Sequence, residues 1–209
     1  MTGSRLALVT AAVLLWLPFP ASAMNWKFRA MLDGKPIGEH SVSVDDRGDE
    51  RIVSVEATFA VRVLGFTAYR YHHIAREQWR AGCLADLESS TDDGGVNQEV
   101  RARRQGDRLE VVTLKSSETL SGCVMTFAYW NPSILGQTRL LNPQTGRIES
   151  VRIADIGPGS IDVRGVQTSA RQYRITGPVA HIDVWYSASG EWMGLDSLID
   201  GKHTLSYRL

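Results

Sequence analysis

Several groupings in this sequence carry residue types that could do chemistry. His72-His73 offers two imidazoles, and imidazole is a common metal ligand. In an extended run, however, neighbours point to opposite faces. The pair cannot share one ion without a bulge, and it reads as ordinary surface or core histidines. Asp92-Asp93 offers two carboxylates for calcium. The Gly94-Gly95 that follows makes the stretch a turn, and the remaining ligand spacing of a calcium loop is absent. Tyr129-Trp130-Asn131 sets two aromatics side by side. Both cannot be buried on one face, so either one faces a cavity or the group completes a core with Asn131 as a helix cap. His73 and Glu77, together with Asp183 or His181, are the polar residues from which a hydrolase-type acid–base site could be assembled. No G-x-S-x-G elbow accompanies them, and no cofactor, metal or catalytic motif is predicted.

Cys83 and Cys123 are the two cysteines. Their spacing is far from C-x-x-C, and a pair of this kind in an exported chain predicts a disulfide. Gly82 and Gly122 precede them and would ease close approach of the backbones. Arg101, Arg103 and Arg104 form a basic cluster, which reads as a solvated outer face.

These side chains must be positioned by strands. From His181 to Leu209 three extended runs are joined by SASG and DGK. Ile182, Val184 and Tyr186 share one face, with Trp185 opposite. Met193, Leu195 and Ile199 share the next, with Trp192 and Leu198 opposite. Upstream, Val53, Val55, Ala57, Phe59, Val61 and Val63 alternate without a break until Gly65 interrupts, and Tyr71, His73, Ala75, Glu77 and Trp79 follow on one face. Gly157-Pro158-Gly159 divides two later runs. The rhythm fails only between Ser116 and Pro143, where a short helix is predicted to begin with Asn131 as N-cap and Pro132 in the first position. About ten strands with short links exclude a parallel sheet. The predicted fold is mainly β, one large curved antiparallel sheet or half-barrel, with the 127–141 segment packed against it as a plug.

Residues 1–23 read as a signal peptide: Arg5, an apolar run from Leu6 to Phe19, and Ala21-Ser22-Ala23. A single β-rich domain over 24–209 is expected, soluble and periplasmic, with no transmembrane segment after cleavage. The whole chain has 23 basic and 23 acidic residues, so loss of Arg5 leaves 22 against 23. Such a balance gives no bulk electrostatic reason to bind nucleic acid.

Taken together, GCL (82–84), TDDGG (91–95), FAYWNP (127–132), LLNPQTG (140–146) and WYSASGEWMGL (185–195) resemble a family of exported bacterial proteins known only as a domain of unknown function. In architecture such chains are similar to the LolA/LolB lipoprotein carriers. That resemblance implies a sheet curved around an apolar space, though the carriers' lipid-binding residues do not map onto this sequence. The expected function is binding of an apolar or amphipathic, lipid-like molecule on the concave face, lined by Trp130, Trp185 and Trp192 with Asn131 and His73 as polar contacts. A structural or protein-interaction role in the cell envelope, and the hydrolase-type site above, are the alternatives.

Overall fold

The computed structural model describes residues 22–63, 66–177 and 181–209. Residues 1–21 of the expected leader and the Gly65 interruption lie outside them. Eight strands run first: β1 (Ser22–Leu32), β2 (Lys35–Asp46), β3 (Glu50–Val63), β4 (Phe66–Arg80), β5 (Cys83–Asp93), β6 (Val96–Gln105), β7 (Arg108–Thr113) and β8 (Ser117–Ser121). A 3-10 helix, Pro132–Gly136, and a small hairpin, β9 (Arg139–Leu141) with β10 (Ile148–Ser150), follow. Then come β11 (Arg152–Val163), β12 (Val166–Thr176), β13 (His181–Tyr186), β14 (Trp192–Ile199) and β15 (His203–Arg208).

Thirteen of these strands form one antiparallel sheet in the order β11-β12-β13-β14-β15-β1-β2-β3-β4-β5-β6-β7-β8. Each strand pairs with its sequence neighbour, because short links of two to five residues join them. Asp33-Gly34 and Asp200-Gly201 both have positive φ at both positions, the backbone twist that a tight hairpin requires. The exception to local pairing is β15 against β1, which joins the end of the chain to its beginning. The edges are β8 and β11, and residues 122–151 run between them.

A sheet of this width curls. Its concave face is closed by the 122–151 segment, and Phe28, Val44, Trp79, Leu87 and Leu109 from the strands share one core with Ile134, Leu140 and Leu141 from that segment. The segment is tied down at several points. The Cys83–Cys123 disulfide joins it to the start of β5. Beside the disulfide, Leu84 N donates to Val124 O at 2.9 Å. The Arg104 guanidinium donates to Leu84 O at 2.8 Å and Gly122 O at 2.9 Å, so this member of the basic cluster is a clamp, while Arg101 and Arg103 are exposed as expected. At a sequence separation of 40, the crosslink stabilises the fold by roughly 4 kcal/mol on the chain-entropy model.

The short helix begins as predicted: Asn131 is the N-cap, its side-chain oxygen accepting from Ser133 N, and Pro132 leads the turn. Two expectations are corrected. Gly157-Pro158-Gly159 does not divide two runs. It lies inside β11, where a register shift between Asp155 and Gly157 absorbs it, and the reversal comes at Arg164-Gly165. Pro158 is tolerated because β11 is an edge. The faces of β14 also differ. Trp185 pairs with Gly194 and Tyr186 with Trp192, leaving Met193 as an extra residue. This bulge turns Trp192 and Leu195 to the same inner face and Met193 to the outer one.

Candidate functional site

The concave face is best followed in rows across the strands. One row pairs Phe28 with His40, His40 with Ala57, Ala57 with His73 and His73 with Thr91. His40 and His73 thus flank a small alanine and look into the same space. A second row pairs Val44 with Val53, Val53 with Glu77, Glu77 with Leu87 and Leu87 with Ala102, a single carboxyl among aliphatic side chains. Strand alternation on β4 explains both: Tyr71, His73, Ala75, Glu77 and Trp79 are buried, while the residues between them are mostly exposed.

Between this wall and the 122–151 segment lies a cavity of about 500 Å³. Aromatic and aliphatic groups line most of it, including Tyr71, Phe127, Tyr129, Trp130, Trp192 and Tyr207. His40, His73 and Glu77 are its inner polar groups, and Asn142, Gln144, Thr145, Arg147 and Glu149 of the β9–β10 hairpin supply a polar side. Trp130 is fixed edge-on to Trp79 at 5.5 Å between centroids, with the Arg51 guanidinium 6.0 Å from its ring. Trp192 packs on Phe28 at 4.3 Å and Tyr129 at 5.5 Å. The Tyr186 hydroxyl donates to Tyr129 O at 2.7 Å, and the Ser89 hydroxyl to Pro143 O, which holds the segment at its distance from the sheet.

The low dielectric of this interior shifts its titratable groups. Burial lowers His40 to about 3, with a smaller contribution from His73. Burial lowers His73 to about 4, and its Nδ1 lies 2.8 Å from the Thr91 hydroxyl. Burial raises Glu77 to about 7, opposed by the hydrogen bond that Trp79 Nε1 donates to its Oε2 at 2.8 Å. At neutral pH both histidines are therefore uncharged. Burial also lifts the hydroxyls of Tyr71, Tyr129 and Tyr207 far above their ordinary range.

Of the five predicted ligand contacts, Trp130, Trp192 and His73 meet at this cavity. Asn131 is buried next to it, but its oxygen serves the helix cap. Trp185 stands on the other face of the sheet, in a separate cluster with Ile161, Val163, Ala170 and Met193. There β11 folds over β14 closely enough that a Cβ on Gly194 would lie 2.6 Å from Ile161 Cδ1. The hydrolase-type set does not converge. Asp183 is paired with Arg174 at 2.6 Å, and His73 and Glu77 are four residues apart on one strand, roughly 13 Å along it. Asp92 and Asp93 serve the turn, Asp92 accepting from Gly95 N and Asp93 from the Tyr69 hydroxyl. His72 faces outward near Glu56. Among the described residues no group of three or more His, Cys, Asp or Glu is placed to hold a metal ion, and no helix is long and apolar enough to cross a membrane.

His40 and Tyr207 are lining residues that the sequence did not single out, and Tyr129 lines the cavity beside Trp130. The alternation of His40 with Val42 and Val44 in β2 is the signal that marks the first of them. A second recess, about 870 Å³, lies on the outer face and is lined by Lys27, Ser41, Ser43, Glu56, Arg76 and others. It is larger but more open, and its polar side chains are already solvated; Lys27 and Glu39, both largely exposed, pair at 2.9 Å. The inner cavity, more sheltered and with desolvated polar groups set in apolar walls, is the stronger candidate.

No curated protein matches the chain. Among solved structures it is similar to a β-barrel-like protein of the domain of unknown function DUF1849 from Brucella abortus. The TM-score is 0.66 at 10% identity, over 88% of this chain and 94% of that one, a likeness of fold alone. A family model described as a domain of unknown function, DUF6134, matches residues 28–209. The chain belongs to the DUF6134 family.

Proposed function

We propose that this protein binds an apolar or amphipathic small molecule in the cavity between the concave face of the sheet and the 122–151 segment. The observation that carries the reading is the cavity itself. Its volume of about 500 Å³ falls within the range of small-molecule sites, roughly 300–1,000 Å³. Aromatic walls with a few desolvated polar groups suit a ligand that is mostly hydrocarbon. The resemblance that the sequence suggested to the lipoprotein carriers makes a lipid-like molecule the first class to try. An exported, periplasmic setting is part of the proposal, supported by the tripartite leader and by the Cys83–Cys123 disulfide. Intact mass of the secreted form should start at Met24; retention of residues 1–23 would overturn that part.

The binding test is uptake of a polarity-sensitive apolar dye. The wild-type chain should bind it with blue-shifted emission. Trp130→Ala should weaken binding about tenfold while leaving the β-type circular-dichroism spectrum intact. Absence of uptake by a folded wild-type chain would remove the ligand-binding reading in favour of a structural or interaction role.

A further inference from the structure

One carboxyl inside the molecule has no cation. Glu77 is 4% exposed, and its apolar row neighbours Val53 and Leu87 offer it nothing. Trp79 Nε1 is its one donor of ordinary geometry. Beside it lies the buried Thr126 hydroxyl, near enough to favour the ionised carboxylate but outside ordinary hydrogen-bond geometry. No ion pair among the described residues includes Glu77. The imidazoles on the same wall, His40 and His73, are kept neutral by burial and supply no counter-charge. The charged groups that line the cavity from the opposite side are Arg147 and Glu149 of the β9–β10 hairpin, and Glu149 is taken by the Asn142 amide at 2.7 Å. A buried carboxyl that is neither paired nor fully hydrogen-bonded is costly to the fold and marks a place where something else completes the set.

We propose that Glu77 and Thr126 form the seat for the ligand's headgroup, and that the ligand is an amphiphile ending in a hydrogen-bond-donating cation, of the long-chain amine class. The inference rests on the cavity reading above. The ammonium donates to the Glu77 carboxylate, which the neighbouring Thr126 hydroxyl supports from behind, and the alkyl chain lies against Trp130, Trp192 and Tyr129. A carboxylate headgroup would instead meet Glu77 with repulsion and would be drawn to Arg147.

The test uses the full mature chain loaded with a neutral polarity-sensitive dye. Dodecylamine, dodecanol and dodecanoate, each below its aggregation concentration, are compared as competitors at pH 8, where Glu77 is ionised. The amine should displace the dye at about tenfold lower concentration than the alcohol, and the acid should be weakest. Glu77→Gln should abolish the amine's advantage and leave the alcohol within about threefold of wild type. Should that variant fail to fold, wild type at pH 5.5 serves in its place. His40 and His73 are still neutral there, the amine is still cationic, Glu77 is protonated, and the advantage should vanish. Dodecanoate binding as tightly as the amine, or an advantage that survives both Glu77→Gln and pH 5.5, overturns the headgroup assignment and leaves the cavity standing. Failure of all three to displace a bound dye overturns the amphiphile assignment and leaves the cavity standing; failure of the dye itself to bind removes the cavity reading and this inference together.

Discussion

Trp192 and Trp185 stand on neighbouring strands and face opposite ways. Trp192 is fully buried on the inner wall, ringed by Phe28, Trp26, Tyr129 and His40. Trp185 is half-buried on the outer side, over Gly159, with its Nε1 donating to Asp196 at 3.3 Å. The inner region is a large core with a cavity left in it. The outer one is a small pad where the β11–β12 hairpin curls back over β13 and β14, and Gly194 and Gly159 let the layers touch. An aromatic residue on a curved sheet therefore marks a binding wall only when it lies on the side that the connecting segment leaves unfilled.

Matched substitutions give the largest test of that contrast. Trp192→Ala should destabilise the fold by about 3–5 kcal/mol and lose dye binding, because it empties a fully buried site against the cavity. Trp185→Ala should cost only about 1–2 kcal/mol and leave dye binding unchanged. Urea unfolding and dye titration read the two effects separately, and equal losses in both variants would erase the distinction between the regions.

A smaller effect sharpens the inner side. His40 and His73 have folded values below the ordinary 6.5. Above pH 6.5 they are neutral in both states and contribute nothing; as pH falls below it, the unfolded chain takes up protons first and stability is lost. Glu77 acts in the other direction. Its folded value of about 7 exceeds the ordinary 4.5, so stability is lost as pH rises from 4.5 through 7 and is level above. The stability of Glu77→Gln relative to wild type should rise by on the order of 3 kcal/mol between pH 4.5 and 7.5. Parallel stability curves across that interval, measured by urea unfolding, would show Glu77 to be open to water.

What the sequence disclosed follows the range of each interaction. The alternation on β4 placed His73, Glu77 and Trp79 on one face because it depends only on neighbours. The Asn131 cap and Pro132 were legible for the same reason. Period two sets Trp192 opposite Leu195, and the structure puts both on one face, because the bulge at Met193 is set by pairing with β13, which alternation does not sense. The glycines around Pro158 looked like a turn, and only the position of β11 at the sheet edge makes them part of a strand. The role of Arg104 depends on carbonyls at Leu84 and Gly122, brought together by the disulfide. The cavity was inferred from curvature, but its unpaired carboxyl became visible only when the row through Val53 and Leu87 was in place.

The pairing of β15 with β1 has a consequence for how the molecule is made. The two runs of hairpins, β1 to β8 and β11 to β15, can each zip from local turns, but they join through a seam of four residue pairs, Arg29 to Leu32 against Arg208 to Leu205. The first strand must wait, unpaired on that side, until the last one exists. Contacts of such sequence separation are slow to form. A chain that stops before His203 would present two raw strand edges, β1 and β14, to its neighbours, and exposed edges invite other chains to pair with them. β15 is thus a guard against association during folding as well as the closing piece of the sheet.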